Sequence, residues 1–323
     1  MKKILVTGAC GWLGAAIVRA LLARGDAVVA TDLAISPAMD ALARDQSRLT
    51  TAAADLGEWP QVARLFEQHR PDAVVHAAAI VGVVQCADIP IKVHRVNVEG
   101  SINLFESMRI AGVKRVVHIS TEETYGDFNA ERIDEEHPQK PVSIYGATKL
   151  AVEHLGRVYS RDHGLECVNV RTCWVYGPHL PRLRVPRTFI EAALRGEPHH
   201  LPEGGELAVD QVYIDDTVAG VLLALDKDTH RFDSYNIATG QAPSIADVAN
   251  AVNRAIPGAR ITVGRSGEGY RHGGTVPSAR KGALDIRRAT AELGYRPQYD
   301  IQKGIEATIA ITRIEMAKHR EGK

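Results

Sequence analysis

Residues 4–32, ILVTGACGWLGAAIVRALLARGDAVVATD, decide the fold. An unbroken apolar run, which predicts a buried strand, leads into a turn that contains Gly8, Gly11 and Gly14. A helix-forming segment follows, and a second apolar run ends at Asp32. Spaced glycines indicate a dinucleotide-binding site when they occur in this order of strand, glycine turn, helix and strand. The same order argues against the alternative that the glycines serve only as turn residues.

Each of these residues has a physical use if a dinucleotide binds. Gly8 permits the tight turn, Gly11 lets the backbone approach a pyrophosphate, and Gly14 lets the helix pack closely on the sheet, while the N–H groups at the helix start face the phosphates. The Asp32 carboxylate would accept hydrogen bonds from the ribose hydroxyls. No Arg or Lys follows in residues 33–36 to meet a 2′-phosphate, which favours NAD over NADP.

Composition excludes several classes of partner. Lys plus Arg and Asp plus Glu both number 39 among 323 residues, so neither nucleic acid nor an anionic membrane is expected as the main partner. No apolar run approaches membrane-spanning length and no secretory signal precedes the first strand. The four cysteines form no Cys-x-x-Cys pair and the histidines show no ligand spacing. We therefore expect a soluble, cytoplasmic protein with reduced thiols and no metal site.

Strand and helix signals alternate along the first half, which predicts an α/β, Rossmann-type doubly wound parallel sheet. We expect a dinucleotide-binding domain over residues 1–178 and a smaller α/β, mainly substrate-binding part over 179–323, with a chain that can cross between them. Predicted strands are 27–32, 49–54, 73–76, 115–119, 167–171, 234–237 and 261–263; predicted helices are 15–23, 59–69, 89–112, 143–163, 215–225, 244–255 and 301–317. A glycine-rich segment, 264–274, and a charged, solvated tail, 318–323, complete the chain.

Tyr145 and Lys149 form the decisive pair. On a helix that starts near residue 143, positions i and i+4 share a face, so the ammonium would lie near the phenol. A phenol transfers protons poorly at neutral pH until a neighbouring cation favours its ionised form. The segment Ser120–Gly126, STEETYG, follows the fifth strand, and in a doubly wound sheet that loop opens onto the cofactor crevice. A hydroxyl there could hold the oxygen of a substrate.

With these motifs the chain resembles the extended short-chain dehydrogenase/reductases, also called the NAD-dependent epimerase/dehydratase family. Further matching stretches are residues 55–56, 76–79, 97–100, 175–178, 212–216, 235–240 and 293–297. The resemblance implies that Tyr145 transfers the proton, that Lys149 activates it and binds the ribose, and that Thr121 holds the reacting oxygen. It also implies NAD as the cofactor and a homodimer formed through the helices near 89–112 and 143–163.

The same resemblance implies a set of residues around the cofactor. Beside the glycines and Asp32, Asp55 and Leu56 would flank the adenine, and Asn97 would be a structural or nicotinamide-side residue. The positions carried over as cofactor-lining are Trp12, Leu13, Ala77, Ala78, Ala79, Ile119 and Thr172, together with Tyr145 and Lys149.

Several residues bear on the substrate. Family members that dehydrate or decarboxylate nucleotide sugars carry acidic residues after the Ser-Thr pair, so Glu123, and less so Glu122, is either an acid/base or substrate ligand, or else a solvated or helix-capping residue. Where nucleotide-sugar members usually have Asn and Arg for the diphosphate, this chain has Trp174 and Val209. Another anion site could come from arginines that are otherwise solvated: Arg182, Arg184, Arg187, Arg265 and Arg271.

We therefore expect an NAD-dependent oxidoreductase that transfers hydride at a secondary alcohol or ketone of a sugar, sugar acid or other small polyhydroxy substrate. Trp174 and Val209 favour a net dehydrogenase. Glu123 favours the alternative, a nucleotide-sugar epimerase or dehydratase that regenerates its bound NAD. A third hypothesis, a non-catalytic NAD-sensing module, is disfavoured because Tyr145 and Lys149 are both present.

Overall fold

The computed structural model describes residues 1–265, 271–272, 276–277 and 279–321. Its strands are β1 (Lys3–Thr7), β2 (Ala27–Asp32), β3 (Leu49–Ala53), β4 (Ala73–His76), β5 (Arg115–Thr121), β6 (Arg132–Ile133), β7 (Glu166–Thr172), β8 (Trp174–Tyr176), β9 (His199–Leu201), β10 (Gln211–Tyr213), β11 (Ser234–Ile237), β12 (Ile261–Val263), β13 (Arg271–His272), β14 (Val276–Pro277) and β15 (Ala283–Leu284).

Its α-helices are α1 (Trp12–Ala23), α2 (Pro37–Asp45), α3 (Trp59–His69), α4 (Val83–Asp88), α5 (Pro90–His94), α6 (Gly100–Ala111), α7 (Ile144–His163), α8 (Arg187–Arg195), α9 (Ile214–Asp226), α10 (Ile245–Ala255), α11 (Arg287–Leu293) and α12 (Ile301–Glu321). A π-turn, Arg95–Glu99, joins α5 to α6, and a 3-10 turn, Glu122–Thr124, follows β5. Among the described residues, no helix is both long enough and apolar enough to cross a bilayer.

Seven strands form one parallel sheet in the order β11-β7-β5-β4-β1-β2-β3. The direction of winding changes between β1 and β4, and a doubly wound sheet opens a ligand crevice at the carboxyl ends of the strands at this point. The predicted Rossmann-type sheet is therefore confirmed.

Helices cover both faces of the sheet because its strands are apolar on both sides. On β1, Ile4 and Val6 pack into one core, which contains Ile17 of α1, whereas Leu5 packs into the other, which contains Leu104 of α6. Successive side chains of a strand point to opposite faces, so one three-residue apolar run supplies both cores.

The second part of the chain returns to this sheet. Strand β11 pairs with β7 as the edge strand, and α9 packs against α1. Small parallel pairs, β8 with β10 and β9 with β12, lie outside the large sheet. The boundary near residue 178 stays a prediction.

Two predicted elements differ from the observed ones. The helix expected over 89–112 is interrupted by the π-turn at Arg95–Glu99, where Asn97 bonds to the backbone of Ile80. Helix α8 lies in a stretch for which the sequence analysis predicts no element. Most of the glycine-rich segment 264–274, with the Arg271 side chain, and the side chains of 318–323 lie outside the described residues.

Candidate active site

The glycine turn after β1 is tightly folded. Gly8 has a φ of 67°, and a Cβ there would lie 2.7 Å from the Ala78 backbone. A Cβ on Gly14 would lie 2.0 Å from the Gly8 carbonyl oxygen. Within the described residues, α1 begins at Trp12 without a side-chain cap and without an acidic residue in its first turn. The start of the helix therefore presents backbone N–H groups that an anion can use.

Asp32 lies at the end of β2 beside this turn. Its Oδ2 accepts a hydrogen bond from the Cys10 N–H at 2.9 Å, and its Oδ1 accepts one from the Leu33 N–H at 2.8 Å. A carboxylate at this place, a turn without side chains and an open helix start fit a bound dinucleotide with a free ribose 2′-hydroxyl. The structure thus brings the predicted NAD residues of β1, α1 and β2 to one edge of the sheet.

The remaining predicted cofactor positions follow the neighbouring strands. Residues 55–56 come after β3 and residues 77–79 come after β4. Asn97 accepts a hydrogen bond from the Ile80 N–H at 2.8 Å and donates to the Ile80 carbonyl at 2.9 Å and to Thr148 Oγ1 at 3.1 Å. These contacts favour the structural interpretation of Asn97, since they fix the loop after β4.

The first turn of α7 brings a phenol to a hydroxyl. The Ser143 side chain accepts from the Gly146 N–H at 3.1 Å and so starts the helix. A Cβ on Gly146 would lie only 2.4 Å from the Glu123 carbonyl oxygen, so α7 is packed directly on the turn that follows Thr121. The Thr121 hydroxyl lies near the Tyr145 phenol and helps to lower the pKa of that phenol.

Two opposing effects act on the pKa of Tyr145. Burial raises the pKa of its phenol, and the Arg182 guanidinium is the main group that opposes this rise. Sequence reasoning assigned that effect to Lys149, whose Nζ instead lies 3.1 Å from His118 Nε2. Arg182 was noted only as one of several arginines, and no spacing in the sequence marks it as a neighbour of Tyr145.

Lys149 is buried one helical turn beyond Tyr145, and 3% of the residue is exposed. Burial lowers the pKa of its ammonium to about 7, although the charge of Glu153 opposes this effect. The lysine is therefore poised between its charged and neutral forms near physiological pH.

Glu122 and Glu123 are not solvated: they are 1% and 8% exposed. Lys281 Nζ lies 3.0 Å from Glu123 Oε1 and 3.9 Å from Glu122 Oε1. Burial raises the pKa of Glu122 to about 8 despite the nearby Lys281 charge. At neutral pH Glu122 therefore carries a proton that it can donate. Sequence reasoning missed Lys281, because nothing local marks a lysine that packs against residues so distant in the sequence.

A second group of polar side chains lies beside this cluster. The Arg184 guanidinium stacks 5.4 Å from the centre of the Trp174 ring and donates to the Val175 carbonyl at 2.8 Å. Gln211 pairs in register with Trp174. Within the described residues, both amide atoms of Gln211 and one oxygen of Glu122 are buried without a hydrogen-bond partner. Such atoms indicate a place for a polar ligand, since an unsatisfied buried polar group is costly.

The other arginines take different positions. Arg187 donates to the Leu180 carbonyl at 2.6 Å and pairs with Glu191, and Arg265 is exposed. All four cysteines are free thiols. Within the described part of the chain, no three His, Cys, Asp or Glu side chains are grouped to hold a metal ion.

Comparison with known proteins gives a consistent result. The profile of the NAD dependent epimerase/dehydratase family matches residues 4–238. UDP-glucose 4-epimerase of Mycolicibacterium smegmatis is 31% identical over 96% of this chain and 98% of its own length. dTDP-glucose 4,6-dehydratase 1 of Escherichia coli is 30% identical over 95% of this chain and 91% of its own.

Solved structures agree. UDP-glucose 4-epimerase of Thermotoga maritima, determined with UDP-glucose, superposes with a TM-score of 0.86 at 28% identity, over 97% of this chain and 99% of that one. UDP-glucose 4-epimerase of Thermus thermophilus, determined with NAD, superposes with a TM-score of 0.79 at 30% identity, over 96% of this chain and 99% of that one.

Proposed function

This chain belongs to the NAD-dependent epimerase/dehydratase family, and we propose that it oxidises a secondary hydroxyl of a nucleotide-linked sugar and regenerates its bound NAD before the product leaves. The family is NAD-dependent, so hydride transfer at a secondary alcohol or ketone is its shared chemistry. The observation that carries the proposal is the close packing of α7 on the turn after β5, which brings the Tyr145 phenol near the Thr121 hydroxyl at the cofactor edge of the sheet.

The chain's own residues supply binding and proton transfer. NAD, when bound, would accept a hydride from the substrate carbon and, once water has left, would return it to the carbon that carried the departing hydroxyl. Gly8, Gly11 and the start of α1 hold its pyrophosphate, and Asp32 holds the adenosine ribose. Thr121 donates a hydrogen bond to the substrate oxygen, and ionised Tyr145 takes the hydroxyl proton.

The two buried carboxyl groups favour dehydration over epimerisation. Once the sugar carries a ketone, its neighbouring C–H is acidic, and Glu123 removes that proton. Glu122, which is protonated at neutral pH, donates its proton to the departing hydroxyl, so that the C–O bond breaks, a carbon–carbon double bond forms and water leaves. Glu123 then returns its proton to the neighbouring carbon as the double bond is reduced. An epimerase needs none of these steps. Of the two reactions that regenerate NAD, we therefore propose dehydration rather than epimerisation.

Both parts of the chain contribute to the substrate region in this proposal. Glu122 and Tyr145 come from the part before residue 178, whereas Arg184, Gln211 and Lys281 come from the part after it. We assign the second part to substrate binding on this basis. We also propose that the chain forms a homodimer through α5, α6 and α7, which carry exposed apolar side chains.

A second candidate remains a net dehydrogenase that acts on a free sugar or sugar acid. It is favoured by Trp174 and Val209, which replace the polar residues that nucleotide-sugar members usually direct at the diphosphate. Arg184 and Gln211 would then bind a carboxylate or hydroxyl group of a smaller substrate.

One assay separates these outcomes. The protein is mixed with NAD and with dTDP-glucose, UDP-glucose, UDP-glucuronate, glucose or glucuronate, while absorbance at ~340 nm reports reduced cofactor and mass spectrometry reports the product. We expect a nucleotide sugar lighter by one water without accumulation of NADH. An unchanged mass with inverted stereochemistry supports epimerisation. A free sugar oxidised with one NADH per turnover overturns the proposal in favour of the dehydrogenase.

Matched variants assign the roles. Tyr145→Phe should abolish every outcome. Glu122→Gln should slow dehydration by about 10²–10⁴-fold, the usual contribution of a general acid, while the initial oxidation of the sugar persists. If Glu122→Gln dehydrates at the wild-type rate, the role of Glu122 as the acid is wrong.

A further inference from the structure

Strand β5 and helix α7 meet through two polar contacts. His118 and Ser120 share one face of the strand, and Lys149 and Glu153 share one face of the helix. His118 Nε2 lies 3.1 Å from Lys149 Nζ, and the Ser120 hydroxyl donates to Glu153 Oε1 at 2.6 Å. Both contacts are buried, and the same strand ends at Thr121.

The hydrogen bonds of His118 define which of its ring nitrogens accepts. Asn169 donates its amide nitrogen to the Asp233 carbonyl at 3.0 Å, which can only accept, so its Oδ1 is the atom that faces the ring. His118 Nδ1 therefore donates to Asn169 Oδ1 at 2.9 Å. Burial holds the pKa of His118 well below its usual range, so the ring is neutral and Nε2 is free to accept.

Few other groups near Lys149 stabilise its charged form. The titratable groups around it are His118 of β5, His76 of β4, and Tyr145 and Glu153 of its own helix. His76 is neutral, because burial lowers its pKa to about 3, and its ring bonds to Thr7 and Ser101. The charge of Glu153 is shared with Arg171, whose guanidinium binds both carboxylate oxygens at 3.0 and 2.7 Å. The hydrogen bond between His118 and the Lys149 ammonium therefore provides a large share of the stabilisation of the charged form.

We propose that His118 is a positioning residue for the reaction: its Nε2 fixes the Lys149 Nζ and favours the ammonium form, a second positive charge, besides Arg182, one helical turn from Tyr145. The effect of this charge on proton transfer by Tyr145 rests on the proposed function, whereas the contact between His118 and Lys149 belongs to the folded chain. His118 acts through Lys149 and touches neither the substrate nor the phenol in this proposal.

The test titrates Lys149 directly in the full-length protein. Lysine labelled with carbon-13 at Cε is incorporated, and the Lys149 signal is assigned by its loss in Lys149→Met. His118→Leu removes the acceptor, and a lost hydrogen bond to a charged group costs about 1.5–3 kcal/mol, which lowers the titration midpoint by about one to two pH units. His118→Gln, which offers an amide oxygen, should restore most of the midpoint.

Ser120→Ala is the matched control, because it breaks the neighbouring contact between the same strand and helix but leaves Lys149 its acceptor. Its midpoint should equal that of the wild type even if the protein is less stable. If His118→Leu does not fold, His118→Phe fills the volume of the ring without an acceptor and takes its place. A wild-type midpoint in whichever of these two variants folds overturns the proposal.

The titration needs no turnover, so it separates this proposal from the proposed function. A lowered midpoint in a protein that converts none of the tested sugars supports the His118 contact and contradicts the proposed reaction. In an active protein, the pH at which the oxidation rate is half-maximal should move to higher pH in His118→Leu and stay unchanged in Ser120→Ala.

Discussion

Protonation of Glu122 makes the stability of the fold depend on pH. The folded chain keeps this carboxyl protonated to about pH 8, whereas an unfolded chain releases its proton near 4.5. Its contribution to stability is therefore fully present below pH 4.5 and is lost as the pH rises towards 8. The groups that face it are Lys281, Glu123, Asp210 and Arg184.

We predict that Glu122→Gln removes this pH dependence. The wild-type free energy of unfolding should fall between pH 5 and 8 by up to about 1.4 kcal/mol per pH unit more than that of Glu122→Gln. Urea denaturation at several pH values measures the difference. Glu131→Gln, at an exposed carboxyl, is the control and should follow the wild type. Identical slopes for Glu122→Gln and the wild type would show that Glu122 is ionised in the fold.

Asp32 leads to a prediction about the cofactor. Asp32→Ala removes a charged acceptor for the ribose and also frees the Cys10 N–H of the glycine turn. Loss of a hydrogen bond to a charged group costs about 1.5–3 kcal/mol, which corresponds to a roughly 10–100-fold weaker affinity for NAD. Fluorescence titration with NADH checks this value. Asp40→Ala, on the exposed side of α2, should bind as the wild type does; equal affinities for both variants would disprove the assignment of Asp32.

At the scale of elements, sequence reasoning succeeded where an apolar run stood alone between breakers. Strands β4, β11 and β12 have the predicted bounds, because each is a short apolar or alternating run flanked by polar or turn residues. Strands β8 and β10 were not predicted, because a single residue separates β8 from β7 and β10 leads directly into α9, so neither run stands alone. The π-turn at Arg95–Glu99 was not predicted, because its apolar spacing is compatible with an uninterrupted helix.

The contact between α7 and the turn after β5 gives the prediction at this scale. Gly146→Ala would place a Cβ 2.4 Å from the Glu123 carbonyl oxygen, so the first turn of α7 must shift away. Since misplacement by about 1 Å can cost a factor of about 10² in rate, we expect kcat/KM to fall by about 10–100-fold.

Steady-state kinetics on the sugar that the proposed assay identifies as the substrate measure this fall. Ala147→Gly lies at the next, exposed position of the same helix and costs about 1 kcal/mol of helix stability without a clash. It should retain wild-type kcat/KM. Equal losses in both variants would mean that helix stability, rather than the approach of Tyr145 to Thr121, limits the rate.

At the scale of the whole molecule, the candidate site joins segments that are far apart in sequence. The glycine turn, the Ser120–Gly126 segment and the Tyr145–Lys149 pair could be found from sequence because each is local and follows a recognisable strand or starts a helix. The contact of Lys281 with Glu123 and that of Arg184 with Trp174 depend on how the later segments pack, which no local pattern encodes. Sequence reasoning therefore predicted the cofactor side of the site better than its substrate side.

The proposed homodimer supplies the last prediction. Ile91 of α5, Ile110 of α6 and Val158 of α7 are 86%, 62% and 43% exposed, and these helices belong to one packed layer. Exposed apolar side chains on neighbouring helices can mark an interface. Ile91→Glu would place a charge at the most exposed of these three side chains and should convert a dimer to a monomer at micromolar concentration.

Light scattering after size exclusion measures the mass of each form. Ile314→Glu is the matched control, because Ile314 is 56% exposed on α12, outside this layer. It should remain dimeric, since a new charge on a solvated surface breaks no apolar contact. A monomeric wild-type protein would contradict the homodimer itself, whereas a dimer that survives Ile91→Glu but not Ile314→Glu would move the interface to α12. Because Tyr145 and Lys149 also lie on α7, loss of the dimer should lower activity together with the thermal stability of this helix layer.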